Sequence, residues 1–178
     1  MNTISRYPVP KLEDLPADIK SRVLEVQEKA GFVPNVFLAM AHHDALMLKE
    51  SGLSQAEREM IIVTTSNDNG CLYCVAAHGA ILRIRAKDAL IADQVAVNYL
   101  KADISLRQKA MLTFALKISN NAQATSEEDF VTLKSFGFSA EDMWDIAAIT
   151  AFFGLSNCMV SFASIQPNKE FYGMIRDI

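Results

Sequence analysis

Between Ile146 and Asn168 no residue carries a charge. A helix of that length spans about 30 Å and needs apolar surroundings, supplied either by lipid or by protein. The run contains Thr150, Ser156, Asn157, Ser161 and Ser164 and ends in Gln166-Pro167. It lacks the aromatic and basic anchors that usually mark the two edges of a membrane span. The sequence therefore predicts a helix buried all round, in the core or at a subunit interface. Such a helix needs partner helices or a sheet to cover it.

The rest of the chain supplies helices. Strand signals are scarce, and Gly and Pro are few. Pro8, Pro10 and Pro16 mark an extended N-terminal arm, and Leu15, Ile19, Val23, Val26 and Ala30 then recur at helical spacing up to Gly31. Pro34 reopens the chain, and Asn35 to Glu50 reads as one helix or two short ones. Ser54-Gln55-Ala56-Glu57 fits a capping box, in which serine and glutamate each satisfy a free backbone N–H of the other. The helix it opens stops at Asn67-Asp68-Asn69-Gly70, four turn-forming residues. Further helices are expected over Cys71–Arg85, within Asp88–Leu100, and over Ser105–Asn120, Ser126–Phe136 and Ser139–Ser164. Gly137 ends the one over Ser126–Phe136, and Ser139 with Asp142 caps the last. The expected class is all-α: a single domain over residues 1–178, with an N-terminal helical extension at 1–50 and a core at 51–165.

At 178 residues and 51% hydrophobic, the chain can bury a sizeable core. Its formal charge of −4 gives no general attraction to nucleic acid or acidic membranes. The N-terminal MNTISRYPVPKLEDLP has no apolar run, so no secretory signal is expected. Three cysteines is an odd and low count, which points to a reducing cytosol rather than to a disulfide scaffold.

Two of those cysteines stand together in Asn67–Gly79, NDNGCLYCVAAHG. On a helix turning about 100° per residue, Cys71, Cys74 and His78 fall within a sector of about 60°. Cys71, following Gly70, lies at the helix start, where free N–H groups and the dipole favour a thiolate. A histidine on the same face can take up or hold the thiol proton. One helix upstream, Glu57 has a structural role in the capping box. Glu59 points elsewhere and shares its face with Ile62, Val63 and Ser66. An acid on so apolar a face needs a partner or a function. A hairpin closed at Asn67–Gly70 would bring it to His78, where it could accept the second ring N–H and raise the imidazole's basicity.

Four readings of the cysteine pair stay open at this point. The CxxC spacing could be incidental. Zinc could use Cys71, Cys74 and His78, although the usual second ligand pair is missing. A structural disulfide this short would close almost no loop. Redox chemistry of the paired thiols is the fourth reading. His42 and His43 are adjacent, point in different directions, and read as surface or hinge residues. Cys158 reads as a small core hydrophobe, and Tyr73 and Trp144 as packing.

Glu59, Cys71, Cys74 and His78 together resemble the E-x11-C-x2-C-x3-H signature of the AhpD-like alkylhydroperoxidases, within the carboxymuconolactone decarboxylase superfamily. Gly31–Asn35, GFVPN, is similar to a segment preceding the core in that family's peroxidase-related group. The resemblance implies an AhpD-like helical fold, usually assembled as a homo-oligomer (dimer, trimer or hexamer). It implies reduction of a hydroperoxide substrate by the Cys71–Cys74 pair, restored by an external dithiol or disulfide reductant, with no cofactor, metal, nucleic acid or membrane involved. Cys74 would be the attacking thiol, Cys71 the resolving one, and Glu59 and His78 the proton relay. Tyr73 stands where AhpD enzymes often carry a histidine, which shortens the relay. Two other functions use the same residues: a thiol–disulfide adaptor passing electrons to a peroxiredoxin, and a non-catalytic zinc-binding module.

Overall fold

A computed structural model describes residues 10–30, 33 and 52–176. The segment expected to hold one or two helices over Asn35–Glu50 lies outside the described residues, as do His42, His43 and the GFVPN stretch apart from Val33. The chain divides into two units, Met1–Lys49 and Glu50–Ile178. Among the described residues there are helices and no strand, in agreement with the all-α expectation.

In the first unit a short 3-10 turn at Leu12–Asp14 precedes helix α1, Ala17–Ala30. Pro16 sits just before α1, where a missing N–H costs nothing, and its carbonyl accepts from Lys20 N–H at 2.8 Å.

The second unit is built around α2, Gln55–Asp68. The Ser54 capping box forms as expected: Ser54 Oγ accepts from Glu57 N–H at 3.2 Å, and Glu57 Oε2 accepts from Ser54 N–H at 2.9 Å. Glu57 also pairs with Arg107, whose guanidinium lies over the Phe138 ring. At the other end, Gly70 takes a left-handed conformation with φ +67°. Its N–H reaches the Asn67 carbonyl at 3.0 Å, and Cys71 N–H reaches the Ser66 carbonyl at 2.9 Å. This is a Schellman closure. It folds the chain straight into α3, Leu72–Ala86, and ties Cys71 to the last turn of α2.

The remaining helices are α4 (Ile91–Asn98), α5 (Leu106–Asn121), α6 (Glu127–Ser135), α7 (Ala140–Phe162) and the short α8 (Glu170–Gly173). Helix α2 packs against α3, α4, α5 and α7, so its residues Ile61, Val63, Thr65 and Ser66 are fully buried. Serine-led capping boxes open α5, α6 and α7 too. Gly137, at φ +83°, ends α6 with the same closure as Gly70.

Helix α7 corrects the core half of one expectation, that of burial all round within the chain itself. It is long and apolar enough to cross a membrane by length and composition. It is not buried all round: Met143, Ile146, Ile149 and Phe153 pack into the core, while Phe152, Leu155, Met159 and Phe162 are exposed. Cys158 lies on this exposed side and is not a core residue. The absence of charge that suggested full burial marks two apolar faces, of which the core covers one.

Candidate active site

Each side chain of the Glu59–Cys71–Cys74–His78 group is placed by the hairpin of α2 and α3. Cys71 is the N-cap of α3, with extended backbone at φ −84° and ψ 94°, and Cys74 is in its first turn. The expectation placed Cys71 inside the helix, but the Schellman closure uses its N–H and leaves it one residue outside. Both cysteines are buried and free, with their Sγ atoms 2.8 Å apart. That is less than ~1 Å beyond a covalent S–S bond, so a disulfide needs only a small adjustment of side chains.

The structure brings Glu59 to His78 as the hairpin argument expected. His78 Nδ1 lies 2.8 Å from Glu59 Oε2. A carboxylate oxygen accepts, so Nδ1 carries the hydrogen and the neutral ring's lone pair is on Nε2. The Phe153 ring stands edge-on to the imidazole at 4.8 Å between centroids, which fixes its plane from the α7 side. His78 makes no direct hydrogen bond to either sulfur among the described residues. Cys74 and His78 are one helical turn apart, with Cβ atoms at about 5–6 Å, a gap that one water or a peroxide oxygen spans.

Burial decides the state of Cys74. Removal from water pushes its thiol up from 9.0 to about 12, and the neighbouring Cys71 adds to the rise. The Ser66 hydroxyl and Cys74's own backbone N–H act in the opposite direction. The helix start thus favours the anion as expected, but on Cys74 and by less than desolvation disfavours it. Resting Cys74 is a neutral thiol, and any reaction at its sulfur as a nucleophile must first or at the same time remove that proton.

Two residues on this face were not singled out by the sequence pattern. Ser66 Oγ donates to Asn157 Oδ1 at 3.0 Å, and both side chains are buried. Ser66 was legible as a neighbour of Glu59 two turns along α2. Asn157 was hidden within the charge-free run, where a buried amide looks like any other small polar residue. Glu57 stays in its capping and Arg107 contacts, away from the site. Tyr73 packs edge-on to Phe171, 6.2 Å between centroids. A cleft along α3 lined by Leu72, Val75, Gly79, Arg83 and Tyr172 lies on a different face of that helix, about 120° round from Cys74 and His78. Among the described residues no three of His, Cys, Asp and Glu converge as metal ligands. The His78 ring is turned to Glu59 rather than to the sulfurs.

The carboxymuconolactone decarboxylase family model matches residues 34–95, which include all four site residues. An uncharacterized peroxidase-related protein with an alkylhydroperoxidase AhpD core, from Ralstonia eutropha JMP134, is 60% identical, with a TM-score of 0.73 over 99% of this chain and 98% of that one. Another peroxidase-related protein, from Silicibacter sp. TM1040, is 37% identical, with a TM-score of 0.72 over 98% and 96% of the two chains. The apo debrominase Bmp8 is 21% identical, with a TM-score of 0.58 over 97% and 98%, a likeness of fold alone. No curated protein matches the chain significantly.

Proposed function

This chain belongs to the AhpD-like proteins of the carboxymuconolactone decarboxylase superfamily, and from that premise we propose that it is a thiol-dependent peroxidase reducing hydroperoxides through Cys71 and Cys74. The observation that carries the reading is the Glu59–His78 pair at 2.8 Å, folded against two free sulfurs 2.8 Å apart. Family membership makes peroxidase chemistry available, and this geometry supplies a base, its orienting acid and a dithiol on one face.

In the proposed reaction a hydroperoxide enters between Cys74 and His78, whose ring and carboxylate partner keep partial exposure. His78 Nε2 takes the Cys74 proton, directly through the bound peroxide or through one water. The sulfur attacks the distal peroxide oxygen and the O–O bond breaks. The departing alkoxide receives the proton from His78 and leaves as alcohol, and Cys74 becomes a sulfenic acid. The Cys71 thiol then attacks the Cys74 sulfur, water leaves, and the Cys71–Cys74 disulfide forms. An external dithiol returns both electrons by exchange. The reaction suits a reducing cytosol, where such donors are abundant.

The test is peptide-resolved mass spectrometry with thiol labelling before and after a small dose of organic hydroperoxide. The expected result is loss of label from Cys71 and Cys74 together, a mass change of one disulfide, and full label on Cys158. Retention of both labels after excess peroxide refutes the reading.

We further propose that the chain self-associates. The exposed apolar residues of α7, Phe152, Leu155, Met159 and Phe162, recur every three to four positions and form one stripe. Light scattering on the eluting protein is expected to give a multiple of the 19.7 kDa chain mass, and Leu155→Glu with Phe162→Glu is expected to lower it.

A further inference from the structure

Asn157 is 2% exposed, and its Nδ2 has no hydrogen-bond partner among the described residues, although the same side chain's Oδ1 accepts from Ser66. An amide donor shut away from water without a partner costs on the order of 1–3 kcal/mol, so its placement calls for an explanation. The atom belongs to a short chain of buried polar groups. Asn157, on α7, meets the Ser66 hydroxyl on α2, and that hydroxyl acts on Cys74 on α3. Ser66 is fully buried and Cys74 nearly so. Ser66 is also held in register with the cysteines, because its carbonyl takes the Cys71 N–H at 2.9 Å.

We propose that Ser66 and Asn157 are positioning residues for Cys74, a buried hydroxyl and amide whose hydrogen bonds reverse direction when the sulfur passes from thiol to anion. In the arrangement seen, Ser66 O–H points at Asn157 Oδ1, and the nearest partner of the Cys74 sulfur is Cys71 Sγ. When the Cys74 proton departs toward His78, the hydroxyl rotates and donates to the anionic sulfur. The Asn157 amide turns over, and its Nδ2–H donates to the Ser66 oxygen. The number of unpartnered polar atoms is the same before and after, since Nδ2 gains a partner and Oδ1 loses one. What changes is that a neutral hydrogen bond becomes a charge-assisted one, which is about twice as strong. The spare amide donor is therefore the reserve that the anion draws on.

The titratable groups on this face are Cys71, beside Cys74, and the Glu59–His78 pair one turn further along. Arg83, Asp93 and Arg176, from α3, α4 and the end of the chain, are grouped on the other face of α3. Cys71 raises Cys74 and Ser66 lowers it, so Ser66 with Asn157 behind it is the side-chain device on this face that favours the anion.

The inference rests on Cys74 being the attacking thiol, and its test separates the two ideas. The reduced protein is alkylated with iodoacetamide across pH 7–10, and the Cys74 peptide is followed by mass spectrometry in wild type, Ser66→Ala, Asn157→Leu and Ser66→Thr. Losing the hydroxyl or the amide is expected to slow Cys74 alkylation at each pH by about tenfold, the worth of one charge-assisted hydrogen bond. Ser66→Thr, which keeps the hydroxyl, is expected to restore the rate to within about threefold. A purely structural role has the opposite sign, because a loosened core exposes the sulfur and speeds alkylation. Unchanged or faster alkylation in Ser66→Ala and Asn157→Leu overturns the proposal, and if one of the two does not fold, the other decides. No peroxide enters this measurement. A wild type that alkylates as expected but forms no Cys71–Cys74 disulfide with hydroperoxide would refute the peroxidase reading and leave the relay standing.

Discussion

Helix α3 carries a buried ionisable group on each of two faces, and the two are treated differently. On one face Cys74 is pushed up by burial, and the polar groups around it are incompletely matched, with a spare amide donor behind Ser66. On the other face burial, followed by the Arg176 cation, pushes Arg83 down, opposed by Asp93. There the guanidinium is bonded to backbone: Nε donates to the Met174 carbonyl at 2.8 Å and an Nη to the Phe171 carbonyl at 2.6 Å. A buried ion bonded to two carbonyls fastens the C-terminal segment to α3. An under-matched buried thiol, in the mechanism proposed, has a proton to lose and donors arranged to respond. The difference separates structural burial from chemical burial on a single helix.

The comparison breaks most easily at the sulfurs. Cys74→Ser is expected to abolish rapid peroxide consumption, by roughly 10³-fold or more, as for other lost nucleophiles. Cys71→Ser is expected to consume a single equivalent and to stop at a Cys74 sulfenate that dimedone traps. The reverse pattern would exchange the roles of the two cysteines. Next in size, His78→Gln is expected to slow disulfide formation about 10²-fold and Glu59→Gln about tenfold. The double variant should be no slower than His78→Gln alone, because the acid acts through the ring. Additive losses in stopped-flow measurements would show Glu59 acting independently.

A pH experiment sharpens the same contrast. Because folded Cys74 sits at about 12 against an ordinary 9.0, the folded state holds that proton more tightly. The resulting stability is fully present below pH 9 and is lost as pH rises from 9 to 12. Reduced Cys74→Ser, with nothing to ionise there, is expected to lose less stability across that window in urea unfolding. An equal loss would mean that the burial of Cys74 is not what destabilises the protein in alkali.

Much of this was legible because it is local. Capping boxes at Ser54 and Ser139 and turn residues at Asn67–Gly70 and Gly137 act within four or five positions, and all four ended or opened helices where expected. The meeting of Glu59 with His78 was legible for a related reason: a tight turn forces two helices side by side, and angular position then chooses the face. Asn157 and the exposed side of α7 were not legible. Their surroundings depend on how distant helices pack, and a charge-free run looks the same whether one face or both are covered. The raised Cys74 was masked by a competing local rule. A helix start does lower a thiol, but how deeply the sulfur is buried is a tertiary property, and here it prevails.

The smallest effect on chemistry is expected at Arg83, which makes it the strictest control on the comparison. Arg83→Met keeps the apolar stem and removes the donors, leaving the Phe171 and Met174 carbonyls without the guanidinium. Hydrogen bonds from a charged donor contribute about 1.5–3 kcal/mol, so urea unfolding is expected to show a loss of about 2 kcal/mol, together with faster proteolysis of the C-terminal segment. Peroxide-driven formation of the Cys71–Cys74 disulfide should stay within about twofold of wild type, because Arg83 lies three turns along α3 from Cys71 and about 120° round the helix from it. A tenfold fall in that rate, with the fold intact, would mean that the C-terminal fastening sets the position of α3 and hence of the sulfurs. The two faces would then be one mechanical unit, and the distinction between a bonded ion that only holds and an under-matched thiol proposed to react would fail for this helix.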